Sequence, residues 1–369
     1  MIDAIEQTAK KSVLERTHRE LGAKFVLSYG WELVQSYSSV SDEHRAVREN
    51  GGLIDLSYDG SIKVRGSEAV QFLNGLVSND VKGLGPGKGM RAAFLTGHGK
   101  VRALCRVLNL DGDFLILNDP QTHTKVLNYI SPFSYAGDFK VEDVSEEYRR
   151  LSVQGPKSSL ILKEICFEPA PSLCEHDRFQ TLIAGHQALI VRASHTGEEG
   201  FDILAPGSAL PDIWDFILLK GRFHSLVPFG LQALDSLRIE AGIPIYGIDV
   251  DETNMLLELG LEDAVSFKKG CYTGQEAVAM ATYRGHVSKR LSGLTVFSDK
   301  LPARGAIVRK DGKEIGLITS ATRSTITDSV IALAYLKYGF LQENSAVELE
   351  CDGATLPARI VQLPFYKSA

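Results

Sequence analysis

Ser61-Ile62-Lys63-Val64-Arg65-Gly66-Ser67-Glu68-Ala69 reads as a strand, a glycine turn and the first residues of a helix. The same order returns at Arg150-Leu151-Ser152-Val153-Gln154-Gly155-Pro156-Lys157-Ser158-Ser159. Such an echo predicts two related α+β halves. After the first passage a helix runs from Ser67 to Leu76. The polar turn Ser78-Asn79-Asp80 and the loop Gly83 to Gly87 then lead into three strands, Ala92 to Leu95, Val101 to Leu108 and Phe114 to Leu117. Asp111-Gly112 joins the last two as a hairpin. Ahead of the passage, Ser41 is the expected cap of a helix that Gly51-Gly52 ends after Asn50. Beyond the second half, Leu291 to Ala369 carries short apolar runs broken by turns such as Asp311-Gly312 and Asp352-Gly353, the pattern of a small β-barrel or sandwich.

A chain of 369 residues with 44% hydrophobic and 23% charged residues can fill more than one core, so two or three domains are expected. Its net charge of −6 removes the broad basic surface that unspecific nucleic-acid binding needs, and no direct nucleic-acid partner is predicted. No apolar run reaches the roughly 18 residues of a spanning helix. The opening Met1-Ile2-Asp3-Ala4-Ile5-Glu6 is acidic where an export signal is basic, so a cytoplasmic protein without membrane attachment is expected. Five dispersed cysteines form neither a disulfide framework nor a zinc motif, and no metal site is predicted. The glycine-rich stretches Gly83 to Gly89 and Gly97-His98-Gly99-Lys100-Val101 lack the spacing of a phosphate loop. The dinucleotide fingerprint and the serine-nucleophile elbow are absent as well.

Three segments carry chemistry. Ser194-His195-Thr196-Gly197-Glu198-Glu199-Gly200 is an acidic turn bounded by glycines, where a rigidly held carboxylate can accept two parallel N–H bonds from an amino-pyrimidinone edge; a solvated hairpin turn is the plain alternative. Leu231 to Ala241 places Leu231, Leu234, Leu237 and Ala241 on one helical stripe, closed by Gly242 and Pro244. Arg238 and Glu240 lie off the stripe, suited to clamping an anion or to an ordinary surface pair. In Phe267-Lys268-Lys269-Gly270-Cys271-Tyr272-Thr273-Gly274-Gln275-Glu276, two lysines near Cys271 would favour its thiolate, against the alternative of a small buried residue in a turn.

Taken together, the chain resembles the folate-binding family of the glycine-cleavage T-protein and its YgfZ-type relatives. The resemblance is carried by Leu21-Gly22-Ala23-Lys24, Glu43-His44-Arg45-Ala46-Val47-Arg48, Thr196-Gly197-Glu198-Glu199-Gly200-Phe201, Leu237-Arg238-Ile239-Glu240-Ala241-Gly242 and Ile331-Ala332-Leu333-Ala334-Tyr335. It implies an α+β three-domain ring: two related ferredoxin-like α+β domains and a C-terminal β-barrel around a central folate channel. The implied division is residues 1–55 with 141–285, an inserted 56–140, and a barrel at 286–369. The T-protein segment Gly-Gly-x-x-Asp-Asp is matched by Gly99-Lys100-Val101-Arg102-Ala103-Leu104, without its acids, and Asp-x-Ser-His-Met-Gly by Asp55-Leu56-Ser57-Tyr58-Asp59-Gly60. Lys269, Gly270, Cys271, Tyr272, Gly274, Gln275 and Glu276 match the YgfZ-type signature.

The resemblance therefore implies a tetrahydrofolate-binding protein of the YgfZ type, serving iron–sulfur enzyme maintenance and tRNA modification through iron–sulfur client proteins. Cys271 is then the functional thiol and Lys269 its activator. Glu198 would bind the pterin edge with Asn118 and Arg238, and Tyr58 and His195 are further pocket residues. Asp55, Asp59 or Asp80 could replace the missing acid only if the fold brings one to the pterin. The competing expectation is a tetrahydrofolate-dependent aminomethyltransferase or a related demethylase.

Overall fold

The computed structural model describes residues 9–283, 285–351 and 353–368. Met1 to Glu6, read above for an export signal, lies outside the described residues, as does Asp352 of the second barrel turn.

The strand Gly60–Arg65 is followed by the helix Ala69–Leu76, the meander Gly89–Leu95, Val101–Leu110 and Asp113–Asn118, the helix Pro120–Ile130 and the strand Lys140–Asp143. The second passage repeats this series: Arg149–Gln154, the helix Ser158–Ile165, the meander Arg178–Ile183, His186–Arg192 and Gly200–Ala205, the helix Leu210–Gly221, and Leu226–Pro228. In each sheet the third strand of the meander lies beside the first strand of the passage. The halves differ at one edge. Gly51–Asp55 pairs antiparallel with Arg149–Gln154 and takes the place that Lys140–Asp143 holds in the five-stranded sheet, so the second sheet has six strands. The turn after each leading strand has the same geometry, Gly66 at φ +125° and Gly155 at φ +127°. A Cβ would lie 2.3 Å from the Asp138 carbonyl oxygen at the first and 2.7 Å from that of Val47 at the second, so both positions require glycine.

Helices cover one face of each sheet, over cores centred on Trp214, Ile203 and Leu53 in one and on Phe94, Phe114 and Ile116 in the other. The remaining faces meet through Leu108, Leu115 and Leu117 against Leu189, Val191 and Leu204. Lys289–Val296, Ser329–Lys337, Lys313–Ser324, Ile307–Lys310, Ala346–Cys351 and Ala354–Val361 close into a six-stranded barrel, which settles barrel against sandwich.

Two local expectations are corrected. The helix over 40–49 is capped by Ser39, whose Oγ accepts from the Asp42 amide at 3.1 Å, and Ser41 lies inside the first turn. The helix Leu231–Glu240 does not bury one stripe. It is wedged between the six-stranded sheet's neighbours and the barrel, so Leu237 packs with Leu33 and Phe229 while Ile239 packs with Leu291, Ile331 and Leu333. Its polar residues are therefore buried too: Arg238 is 2% and Glu240 0% exposed. Among the described residues no helix is long and apolar enough to cross a membrane.

Candidate functional site

A central cavity of about 830 Å³ is walled by all parts of the ring. The five-stranded sheet contributes Leu104, Cys105, Arg106 and Asn118; the six-stranded sheet and its turns contribute Tyr58, Asp59, Arg150 and His195. The barrel side closes it with Leu291 and the segment Ile360 to Pro364, and the helix end Ala241 to Ile245 forms the floor between them.

Polar groups concentrate on the wall between the two sheets. Asp202 on Gly200–Ala205 is fully buried, and its oxygens accept from Ser152 Oγ (2.7 Å), Arg106 Nη1 (2.8 Å) and Arg150 Nη1 (3.2 Å), with His195 Nε2 at 2.8 Å. Burial alone would raise its pKa, but His195, Arg150 and Arg106 together hold it well below the usual carboxylate range. His195 is itself lowered by burial, against the pull of Asp202. Arg150 also grips Asp59. Burial pushes the Asp59 carboxyl up to about 7; Arg150 and Arg106 oppose the shift, while Asp119 and Asp202 add to it. Asp119 caps the helix Pro120–Ile130 by backbone position alone, its carboxylate making no capping bond, and burial raises it as well. Tyr29 and Tyr58 stack at 6.4 Å beside these acids.

Of the residues singled out from sequence, Tyr58, Asn118 and His195 come together on this wall. The Asn118 amide, oriented to satisfy both its ends, donates to the Gly60 carbonyl at 3.2 Å and accepts from the His123 amide at 3.0 Å. Glu198 and Arg238 stand behind the wall. Glu198 is 3% exposed and accepts from Arg48 Nη1 at 2.9 Å, while Arg48 Nη2 reaches Glu240 at 2.7 Å. Arg238 binds Asp249 (2.5 Å), Asp235 and Ser320, tying its helix to the barrel. Both carboxylate and guanidinium are thus occupied by protein partners rather than presented to the cavity.

The Cys271 window lies elsewhere, packed where Gly274 meets the Thr96 carbonyl and Gly99. Cys271 is exposed, and Lys269 does not serve it. The Lys269 ammonium donates to the carbonyls of Asn74, Val77 and Asn79 at 2.5 to 2.8 Å, closing the C-terminus of the helix Ala69–Leu76, and lies 4.5 Å from the Tyr272 ring centroid. Asp80 is not on the cavity wall, and Arg102 stacks on Tyr129 at 4.0 Å instead of pointing inward. Sequence reading passed over Asp119, Arg106, Arg150 and Asp202. The signal available for Asp119 was a strand end followed by Asp-Pro, which marks a helix start.

The GCVT N-terminal domain description matches residues 14–269, and the glycine cleavage T-protein C-terminal barrel domain matches residues 289–367. The chain belongs to the glycine cleavage T-protein family. Aminomethyltransferases of Lysinibacillus sphaericus and Bacillus subtilis are each 31% identical to it, over 97% of this chain and 98% and 99% of theirs. The crystal structure of the glycine cleavage system aminomethyltransferase T from Bartonella henselae superposes with a TM-score of 0.89 at 25% identity, over 97% of this chain and 98% of that one. The α+β ring with its barrel is therefore the T-protein fold. Tetrahydrofolate, the expected cofactor, is the one-carbon carrier of this family's aminomethyltransferases.

These full-length likenesses overturn the YgfZ-type function. The relatives matched from end to end are aminomethyltransferases, so the expected roles in iron–sulfur maintenance and tRNA modification, and the iron–sulfur client partners, are withdrawn. The signature that prompted them is explained locally: its lysine caps a helix and its glycine fits a tight backbone approach.

Proposed function

We propose that this T-protein family member is an aminomethyltransferase that binds tetrahydrofolate in the central cavity and moves a one-carbon unit onto it from an aminomethylated carrier. The observation that carries the reading is the cavity itself. It lies at the junction of both α+β sheets and the barrel, and it holds two half-buried carboxyl groups, Asp59 and Asp119, despite the loss of acids at Ala103 and Leu104. Ala103 is packed into the core, and Leu104 presents only an apolar group to the cavity. Of the acids that could stand in for them, Asp59 lines the cavity, and Asp55 and Asp80 are not among its lining residues.

Tyr58, Asn118 and His195 contact the folate in this reading, with Tyr29 offering a second aromatic face for the flat pterin. Glu198 and Arg238 act from behind, holding the wall through Arg48 and Asp249. The inserted unit, expected over residues 56–140, extends in this reading to Asp143, because Lys140–Asp143 pairs with Gly60–Arg65. The test is turnover: purified protein with tetrahydrofolate and an aminomethylated lipoyl carrier forms methylene-tetrahydrofolate and ammonia in proportion to enzyme. A rate no higher than the uncatalysed control overturns the proposal.

A further inference from the structure

We propose that Asp59 is the proton-carrying carboxylate of the transfer, facing the folate nitrogens across the cavity and oriented by Arg150. This rests on the aminomethyltransferase reading and gives it a residue. Among the described residues, the acids on the cavity wall are Asp59, Asp119 and Glu343, and Glu343 is exposed at the mouth. Asp59 differs from Asp119 in having a built partner. The Arg150 guanidinium, 7% exposed, holds one Asp59 oxygen and is itself fixed by Asp202. Arg150 itself lines the cavity, so its grip on Asp59 is made at the wall and not behind it. A carboxylate held at the wall by a guanidinium that is itself fixed makes a place where a substrate nitrogen can give a proton.

The reaction needs such a group. Two folate N–H bonds are replaced by two bonds to the transferred carbon, the carbon's bonds to sulfur and to nitrogen break with their electron pairs leaving on those atoms, and the two protons end on the departing thiol and ammonia. No oxidant is involved. Asp59 takes a proton as a nitrogen attacks and returns it to a leaving group, a task best done by a group that changes protonation near neutral pH. Arg150, Arg106, Asp119, Asp202, Tyr29 and Tyr58 face it and set that range, with burial the largest influence.

The test compares wild type, Asp59→Asn, Asp59→Glu and Asp119→Asn in the full chain, by kcat/KM from pH 5 to 9 with tetrahydrofolate and the aminomethylated lipoyl carrier, alongside thermal melting and tetrahydrofolate titration. In the expected result wild-type kcat/KM rises through an ionisation near pH 7. Asp59→Asn loses that limb and about 100-fold or more in rate, while its tetrahydrofolate Kd moves less than threefold. Asp59→Glu recovers part of the rate with the limb displaced, and Asp119→Asn keeps the limb. An Asp59→Asn rate within threefold of wild type with the limb intact overturns the assignment, and so does an undisplaced limb in Asp59→Glu if Asp59→Asn does not fold. Absence of turnover by wild type overturns the aminomethyltransferase reading and this one with it, a result distinct from active wild type with an indifferent Asp59.

Discussion

At the scale of single residues, the two aspartates that share Arg150 respond to pH in opposite senses. Asp202 sits below its unfolded value, so its contribution is present above about pH 4 and is lost as the pH falls beneath that. Replacing it with Asn strands Arg106 and Arg150 in the wall and should cost about 3–5 kcal/mol at pH 7, with a smaller penalty in acid, read by urea unfolding across pH. Asp59 sits above its unfolded value at about 7. Between roughly pH 4 and 7 the folded chain binds the extra proton, so this group erodes stability as pH rises through that window. Unfolding of Asp59→Asn should show a flatter slope there. Lys269 and Cys271 offer a second contrast. Lys269→Met removes the donor to three carbonyls and should destabilise by about 1–3 kcal/mol, whereas exposed Cys271→Ser should change stability by less than about 0.5 kcal/mol and leave turnover intact. Equal stability of the two variants would refute the capping role.

At the scale of elements, the glycine turns carry the repeat. Gly66→Ala and Gly155→Ala each place a Cβ on a backbone oxygen at a φ that side chains avoid, and each should cost at least about 1–3 kcal/mol. Gly22, at φ +79° with open space around it, should cost only about 1 kcal/mol as Ala. If thermal denaturation ranks the three alike, the close approach is not what fixes these turns. The turns were legible in the sequence because strand, glycine and helix follow one another within ten residues and answer to local rules. The hairpin at Asp111-Gly112 and the barrel strands were legible for the same reason. The helix Leu231–Glu240 was misread because an apolar stripe predicts one buried face, and nothing local says that a barrel beginning 49 residues downstream covers the other. Within the site, Asn118 and Tyr58 could be found by resemblance. The hub joining Arg106, Arg150, His195 and Asp202 could not, since its members come from three separate strands and a turn and meet only once both halves have folded.

At the scale of the molecule, the segment after the barrel's last strand returns across the ring. Leu363 and Pro364 form part of the cavity wall, Tyr366 lies over Arg48 at 4.1 Å, and its amide donates to the Glu240 carbonyl at 3.1 Å. Ending the chain after Gln362 removes that wall while leaving every barrel strand in place. Tetrahydrofolate should then bind at least tenfold more weakly by calorimetry with the far-ultraviolet dichroism retained; unchanged affinity would show that the tail does not border the ligand.

The Arg48 junction has one more consequence. Arg48 is 3% exposed in its side chain and Glu240 0%, whereas peripheral pairs such as Arg16 with Glu20 stand open at 90% and 64%. Mobile ions reach the second kind and not the first. Raising sodium chloride should therefore relax the outer surface of the protein long before it slackens the ring, and a molar brine that silences the exterior pairs should leave the walls around the central chamber standing.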